Sequence, residues 1–128
     1  MIKSKSTELD FHCELTNNRL TVDSDAPEFK GGQYNGFRPH ELLEAALASC
    51  INISIRMIAK KQNIQLDNVE TQVVIEKLDE KSIFNYKIKL DDNIENKDKE
   101  YLMNIIDLCA VKQTLSKQLE FVQNDWTD

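Results

Sequence analysis

Pro39-His40-Glu41-Leu42-Leu43-Glu44-Ala45-Ala46-Leu47-Ala48-Ser49-Cys50 is the stretch on which the fold turns. A proline ahead of an alanine- and leucine-rich run reads as the first turn of a helix, because proline has no amide hydrogen to leave unpaired there. Glu41 and Glu44 lie favourably near the positive end of such a helix. Apolar residues continue through Ile58, with Leu47, Cys50, Ile51, Ile53, Ile55 and Met57 spread around most of the circumference. The pattern predicts a helix buried on nearly all sides. Arg56, Lys60 and Lys61 complement its negative end, so it should stop near Gln62-Asn63.

Outward from this helix the periodicity changes. On its C-terminal side, Val69 to Leu78 and Ile83 to Leu90 alternate apolar and polar residues, and the short Asp79-Glu80-Lys81-Ser82 link predicts an antiparallel hairpin. Asp91 to Lys99 is a charged, solvated connection. A second amphipathic helix follows, carrying Leu102, Ile105, Ile106 and Cys109 at helical spacing, with a break near Ala110 before Leu115 and Leu119. Glu120 to Gln123 reads as a closing strand, and Asn124 to Asp128 as a loose tail. On the N-terminal side, Glu8 to Leu15 and Arg19 to Val22 read as a hairpin around Asn17-Asn18, a pair able to take positive φ. Between hairpin and helix, Asp23 to Phe37 holds Pro27 and all three glycines, Gly31, Gly32 and Gly36, which predicts a loop with special backbone needs. The order of elements is α+β, in a single domain over residues 1–128.

Composition narrows the function. A chain of 128 residues can bury a core without disulfides or metals, and 41% hydrophobic with 30% charged residues excludes a wholly disordered chain. A net charge of −6 argues against binding nucleic acid, which needs a basic face. The first residues lack an apolar signal-like core, and no run reaches the roughly 20 apolar residues that cross a bilayer. The expected location is therefore the cytoplasm, with no membrane partner. Three cysteines without a Cys-x-x-Cys pair, and two histidines, argue against a zinc site, and no metal or cofactor is expected.

Cys50 and Cys109 each lie in an apolar, helix-forming segment, far apart along the chain. A structural disulfide does not suit a chain without a secretion signal. Two readings stay open: inert packing residues, or a pair built for thiol chemistry. Cys13, on the first strand, reads as structural or incidental. Glu41 and Glu44 read as a solvated helix start, and Tyr34 and Phe37 beside the glycines either line an apolar pocket or are exposed loop aromatics.

Gly31-Gly32, the segment from Pro39 to Cys50, and Cys109-Ala110-Val111 with Thr114-Leu115 resemble the OsmC/Ohr family (osmotically inducible protein C-like, organic hydroperoxide resistance-like) of thiol peroxidases. The resemblance runs from about Arg19 to Phe121. It implies a swapped homodimer, with antiparallel sheets wrapped around long buried central helices and a reactive site at the subunit interface. It also implies reduction of organic hydroperoxides by Cys50, resolution by Cys109 as a disulfide, and an external dithiol as reductant. In the family an arginine on the early hairpin supports the thiolate, oriented by a glutamate just after the helix-opening proline. Here Arg19 is the only arginine on the expected hairpin, and the position after Pro39 is His40. Arg38 flanks the helix start, and Arg56 falls on the opposite side of the helix from Cys50. His40 either replaces the carboxylate or is an exposed histidine at a helix start. Catalytic candidates are thus Cys50, Cys109, Arg19 and His40. The missing glutamate motivates an alternative: a weakly redox-active or non-catalytic dimer that binds a small apolar ligand.

Overall fold

The computed structural model describes residues 1–127. Helix α1 spans Pro39–Lys61, with proline at its first position as expected. Glu41 turns its carboxylate back to accept the Arg38 amide at 3.0 Å, which satisfies a donor at the helix entrance. At the exit, Asn63 adopts φ 56, and the amides of Asn63 and Ile64 donate to the carbonyls of Lys60 and Ala59. That paired return is a Schellman cap with asparagine in the left-handed position, and it fixes the stop where the sequence places it.

Among the described residues four further helical segments, the first a 3-10 turn at Glu28–Lys30, and five strands complete the order. Strands β1 (Lys3–Ser6), β2 (His12–Thr16) and β3 (Thr21–Asp25) form one antiparallel sheet, with Ser6 opposite Cys13 and Cys13 opposite Ser24. The Asn17-Asn18 turn holds Asn18 at φ 72. Strands β4 (Val69–Lys77) and β5 (Ser82–Leu90) form a hairpin closed by the Leu78 amide on the Lys81 carbonyl at 2.8 Å. Helix α2 (Asn96–Asn104) runs into a 3-10 turn at Ile105–Leu108, and α3 (Ala110–Ser116) follows after Cys109. The α+β arrangement is as expected. Strand β1 is an addition, because Lys3-Ser4-Lys5-Ser6 is polar throughout and carries no alternation to read. The expected strand at Glu120 to Gln123 is absent: this segment has no ladder partner, and a lone strand gains nothing over a hydrated chain. Residues 124–127 have no regular structure, and Asp128, the end of the expected loose tail, lies outside the described residues.

The chain folds as two compact units. The first comprises Met1–Ala46 and Val73–Tyr86; the second comprises Leu47–Gln72 and the chain from Lys87 onward.

In the first unit the buried groups are polar. Ser24 and Asp25 are each 4% exposed, while Leu20, Val22, Phe29 and Phe37 are exposed. Asp25 accepts amides from Ala26, Gln33 and Asn35 at 2.8–3.1 Å, so its carboxylate anchors the glycine-bearing loop. The Gln33 amide leads the groups that hold its pKa below the usual carboxylate range, against the opposing effect of burial. A lowered folded pKa means that Asp25 stabilises the fold above its unfolded pKa, and that this contribution is lost as the pH falls through the folded value. Phe37 forms a parallel bridge to Ser24, and Gly36 lies so close to β3 that a Cβ there would fall 2.4 Å from the Asp23 backbone. Glu44 accepts the Ile75 amide at 2.9 Å.

The second unit holds the apolar core. Leu47, Ile51, Ile55 and Ala59 form one stripe of α1, joined in burial by Leu90, Leu102, Ile106 and Cys109. Thr71 donates to the Ala48 carbonyl at 2.9 Å, and Asn52 to the Val69 carbonyl at 2.8 Å. The burial of α1 is therefore narrower than its composition predicts. Ile53 is 47% and Met57 66% exposed, because a single chain provides cover for one stripe only. A second expectation also needs correcting: α1 is long and apolar enough, by length and composition, to cross a membrane. Core helices meet the same criterion, and four residues of this one belong to a core.

Candidate functional site

Cys50 and Cys109 meet within the second unit. Cys50 is half-buried on α1, one residue before the buried Ile51. Cys109 is fully buried and adopts φ −57, ψ 122, an extended conformation that ends the 3-10 turn and starts α3 in a new direction. Its amide donates to the Ile106 carbonyl at 2.9 Å, and its carbonyl accepts the Gln113 amide at 3.0 Å. The chain is thus pinned on both sides of the sulfur. The first amides of α3, which have no partner inside a helix, come to lie at the thiols.

The two sulfurs are in unequal environments. Burial works against ionisation of Cys50 and is the largest single influence, yet it is outweighed by hydrogen bonds from the Cys109 thiol, the Val111 amide, the Ser54 hydroxyl and the Ala110 amide. The Cys50 pKa is lowered as a result. Ser54 lies one turn along α1, with its Oγ 4.0 Å from the Cys50 Sγ. Burial pushes the Cys109 thiol up, and its hydrogen bond to Cys50 pushes it further; the amides of Lys112 and Val111 offset only part of this. The pair therefore consists of a half-buried thiol whose pKa is lowered and a fully buried one whose pKa is raised. Both cysteines are free. The arrangement sets a thiol whose ionisation is favoured beside a second thiol whose ionisation is opposed.

The other expected site residues fall in the first unit. Arg19 is exposed in the β2–β3 turn, where its amide donates to the Asn17 side chain at 2.9 Å. His40 is exposed at the second position of α1. Arg38 stacks on Tyr34, 5.6 Å from the ring centre, and donates to its hydroxyl at 3.3 Å, while Arg56 donates to Asn52 at 2.8 Å. Val22, Tyr34 and Phe37, with Asp23 and Glu41, line an open groove of about 500 Å³. Cys13 is half-buried on β2. Among the described residues, no cluster of three or more His, Cys, Asp or Glu side chains could hold a metal ion. The groups acting on Cys50 that residue patterns did not suggest are Ser54 and the amides of Ala110 and Val111. Only Ser54, at helical spacing from Cys50, leaves any trace in the sequence.

The Ala110 amide can be removed cleanly. Residue 110 is the first residue of α3, where proline is tolerated, and the extended Cys109 already has the backbone that precedes proline. Ala110→Pro should leave the helix content unchanged and raise the Cys50 pKa, because one hydrogen bond to the charged sulfur is lost. Ultraviolet thiolate absorbance against pH measures it; an unmoved titration would mean that this amide does not hold the thiolate.

The chain can now be placed among known proteins. A family model described as OsmC-like protein matches residues 30–123. No curated protein matches the sequence. Among solved structures, the OsmC-like protein from Mycoplasma pneumoniae superimposes with a TM-score of 0.75 at 15% identity, covering 90% of this chain and 85% of that one. An organic hydroperoxide resistance protein OsmC from Legionella pneumophila gives 0.63 at 24%, covering 91% and 88%. The organic hydroperoxide resistance protein OhrB of Bacillus subtilis gives 0.59 at 21%, covering 91% and 89%. These likenesses establish the fold, and the family model spans the loop, the long helix and both cysteine segments. On that match, the chain belongs to the OsmC-like protein family.

Proposed function

We propose that this protein is a thiol peroxidase that reduces organic hydroperoxides, with Cys50 as the attacking thiolate and Cys109 as the resolving thiol. The observation that carries this reading is the inequality of the two sulfurs: Cys50 is held toward the thiolate by a thiol, a hydroxyl and two amides, while burial keeps Cys109 protonated. A peroxide's distal oxygen is attacked by a thiolate, and the sulfenic acid so formed condenses with a nearby thiol. An external dithiol then returns the disulfide to two thiols by exchange.

The working form is proposed to be a cytoplasmic homodimer. Two features support this: the uncovered apolar face of α1, and a first unit whose buried groups are polar while its larger apolar side chains are exposed. Three-stranded sheets of this kind need an apolar face covered. Arg19 and His40 are proposed as polar partners that the assembled dimer brings to the thiolate, His40 standing where the family has glutamate.

Non-reducing mass spectrometry of protein treated with cumene hydroperoxide tests the reading. The expected product is an internal Cys50–Cys109 disulfide, absent from Cys50→Ser and Cys109→Ser. If both wild-type thiols survive the peroxide untouched, the peroxidase reading fails and the family fold serves instead to bind a small apolar ligand.

A further inference from the structure

We propose that Cys109 acts twice, first as the acid that protonates the departing alcohol and only then as the resolving thiol, an inference that rests on the peroxidase reading above. The balance of the first step requires such an acid. When the Cys50 thiolate attacks the distal oxygen of a hydroperoxide, an S–O bond forms, the O–O bond breaks, and its electron pair leaves on the alkoxide. Cys50 becomes a sulfenic acid, oxidised by two electrons as the peroxide is reduced. The alkoxide is a strong base and must gain a proton.

Within one chain the groups at the Cys50 sulfur offer few donors, and His40, which the proposed dimer would bring to the thiolate, is the competing one that the experiment below must separate. The amides of Ala110 and Val111 stabilise charge but do not surrender protons. The Ser54 hydroxyl, 4.0 Å from the Cys50 sulfur, is a far weaker acid than a thiol. The Cys109 thiol is fully buried and hydrogen-bonds the Cys50 sulfur, the atom against which the peroxide must lie. Burial and the neighbouring sulfur keep the thiol hydrogen in place until a base arrives.

Proton transfer also prepares the second step. Once Cys109 has given its proton to the alkoxide it is a thiolate, the form able to attack the sulfenic acid. The S–S bond then forms, the S–O bond of Cys50 breaks, and hydroxide leaves into the solvent. One thiolate, one thiol and one hydroperoxide thus become a disulfide, an alcohol and hydroxide, with charge conserved.

Two reagents separate this role from a structural one. Cumene hydroperoxide needs a proton for its leaving group, whereas iodoacetamide, which expels iodide, does not. Single-turnover loss of the Cys50 thiol to each reagent is measured against pH in wild type, Cys109→Ala, Cys109→Ser, Ser54→Ala and His40→Gln. In wild type the peroxide rate should be bell-shaped, rising as Cys50 ionises and falling as Cys109 does. In Cys109→Ala the falling limb should vanish. Its peroxide rate, compared at equal thiolate fraction, should drop about 10²-fold, the usual worth of a positioned acid, with alkylation changed by less than about threefold. Cys109→Ser should also lack the falling limb, and Ser54→Ala should keep the wild-type shape. The inference is overturned if Cys109→Ala matches wild type toward peroxide, if both reagents slow equally, or if Ser54→Ala or His40→Gln is the variant that loses the limb. Failure of wild type to react with peroxide at all, while iodoacetamide still alkylates Cys50, would instead remove the peroxidase reading itself.

Discussion

Cys50→Ser should consume cumene hydroperoxide at least about 10³-fold more slowly than wild type in the presence of excess dithiothreitol, because a serine hydroxyl without an adjacent base is scarcely ionised and a poor nucleophile toward oxygen. The loss follows from the role of the sulfur and not from packing. Cys50 is half-buried and serine is nearly isosteric, so the fold should be retained by circular dichroism and thermal melting. Cys109→Ser should behave differently: it forms a trappable Cys50 sulfenic acid yet cannot close the disulfide, so its Cys50 is exposed to further, irreversible oxidation. The two variants together distinguish a nucleophile from a resolving thiol. Peroxide consumption by Cys50→Ser at the wild-type rate would place the chemistry elsewhere in the molecule.

What the sequence made legible follows from which features side chains encode. The bounds of α1 were readable because Pro39, the cationic last turn and Asn63 each have a local physical role, and the structure places its start and end accordingly. The β4–β5 hairpin was equally plain from alternation around a short polar link. Strand β1 was hidden because Lys3–Ser6 is exposed throughout, its pairing with β2 being a matter of backbone bonds alone. The segment from Glu120 to Gln123 shows the converse: an aromatic and a β-branched residue, Phe121 and Val122, do not make a strand without a neighbour to complete its ladder. The width of the buried face of α1 was overestimated for a related reason, since composition reports what a helix can bury and not how much cover one chain supplies.

The site divides in the same way. Two cysteines in helical, apolar settings can be recognised as a pair of interest, but their inequality cannot. It arises from the extended backbone of Cys109, which turns the Ala110 and Val111 amides toward Cys50, and an amide has the same chemistry whatever the residue. The sequence shows Cys50 in an apolar helix, where burial alone would raise its pKa; the fold reverses the sign.

The exposed face of α1 leads to the second large effect. Ile53 and Met57 follow Ile51 by two and six positions, which places them about 200° and 240° around the helix from the buried stripe. At 47% and 66% exposure, each leaves apolar area in water that a second copy of the chain would cover. Replacing both by glutamate should leave the isolated chain folded, since neither side chain is in its core. In a symmetric dimer, however, it buries like charges from both copies, and the dissociation constant should rise by at least about 10³-fold, or roughly 4 kcal/mol. Light scattering and sedimentation at micromolar concentration read this as a shift from dimer to monomer. A wild-type monomer, or an Ile53→Glu, Met57→Glu variant that dimerises as before, would rule out α1 as the dimer seam. The same variant also locates Arg19 and His40. Cys50 and Cys109 come from one chain, so alkylation of Cys50 should survive in the monomer. If a second chain completes the site with Arg19 and His40, peroxide turnover should fall with dimerisation; if turnover persists, the thiol pair and its amides suffice.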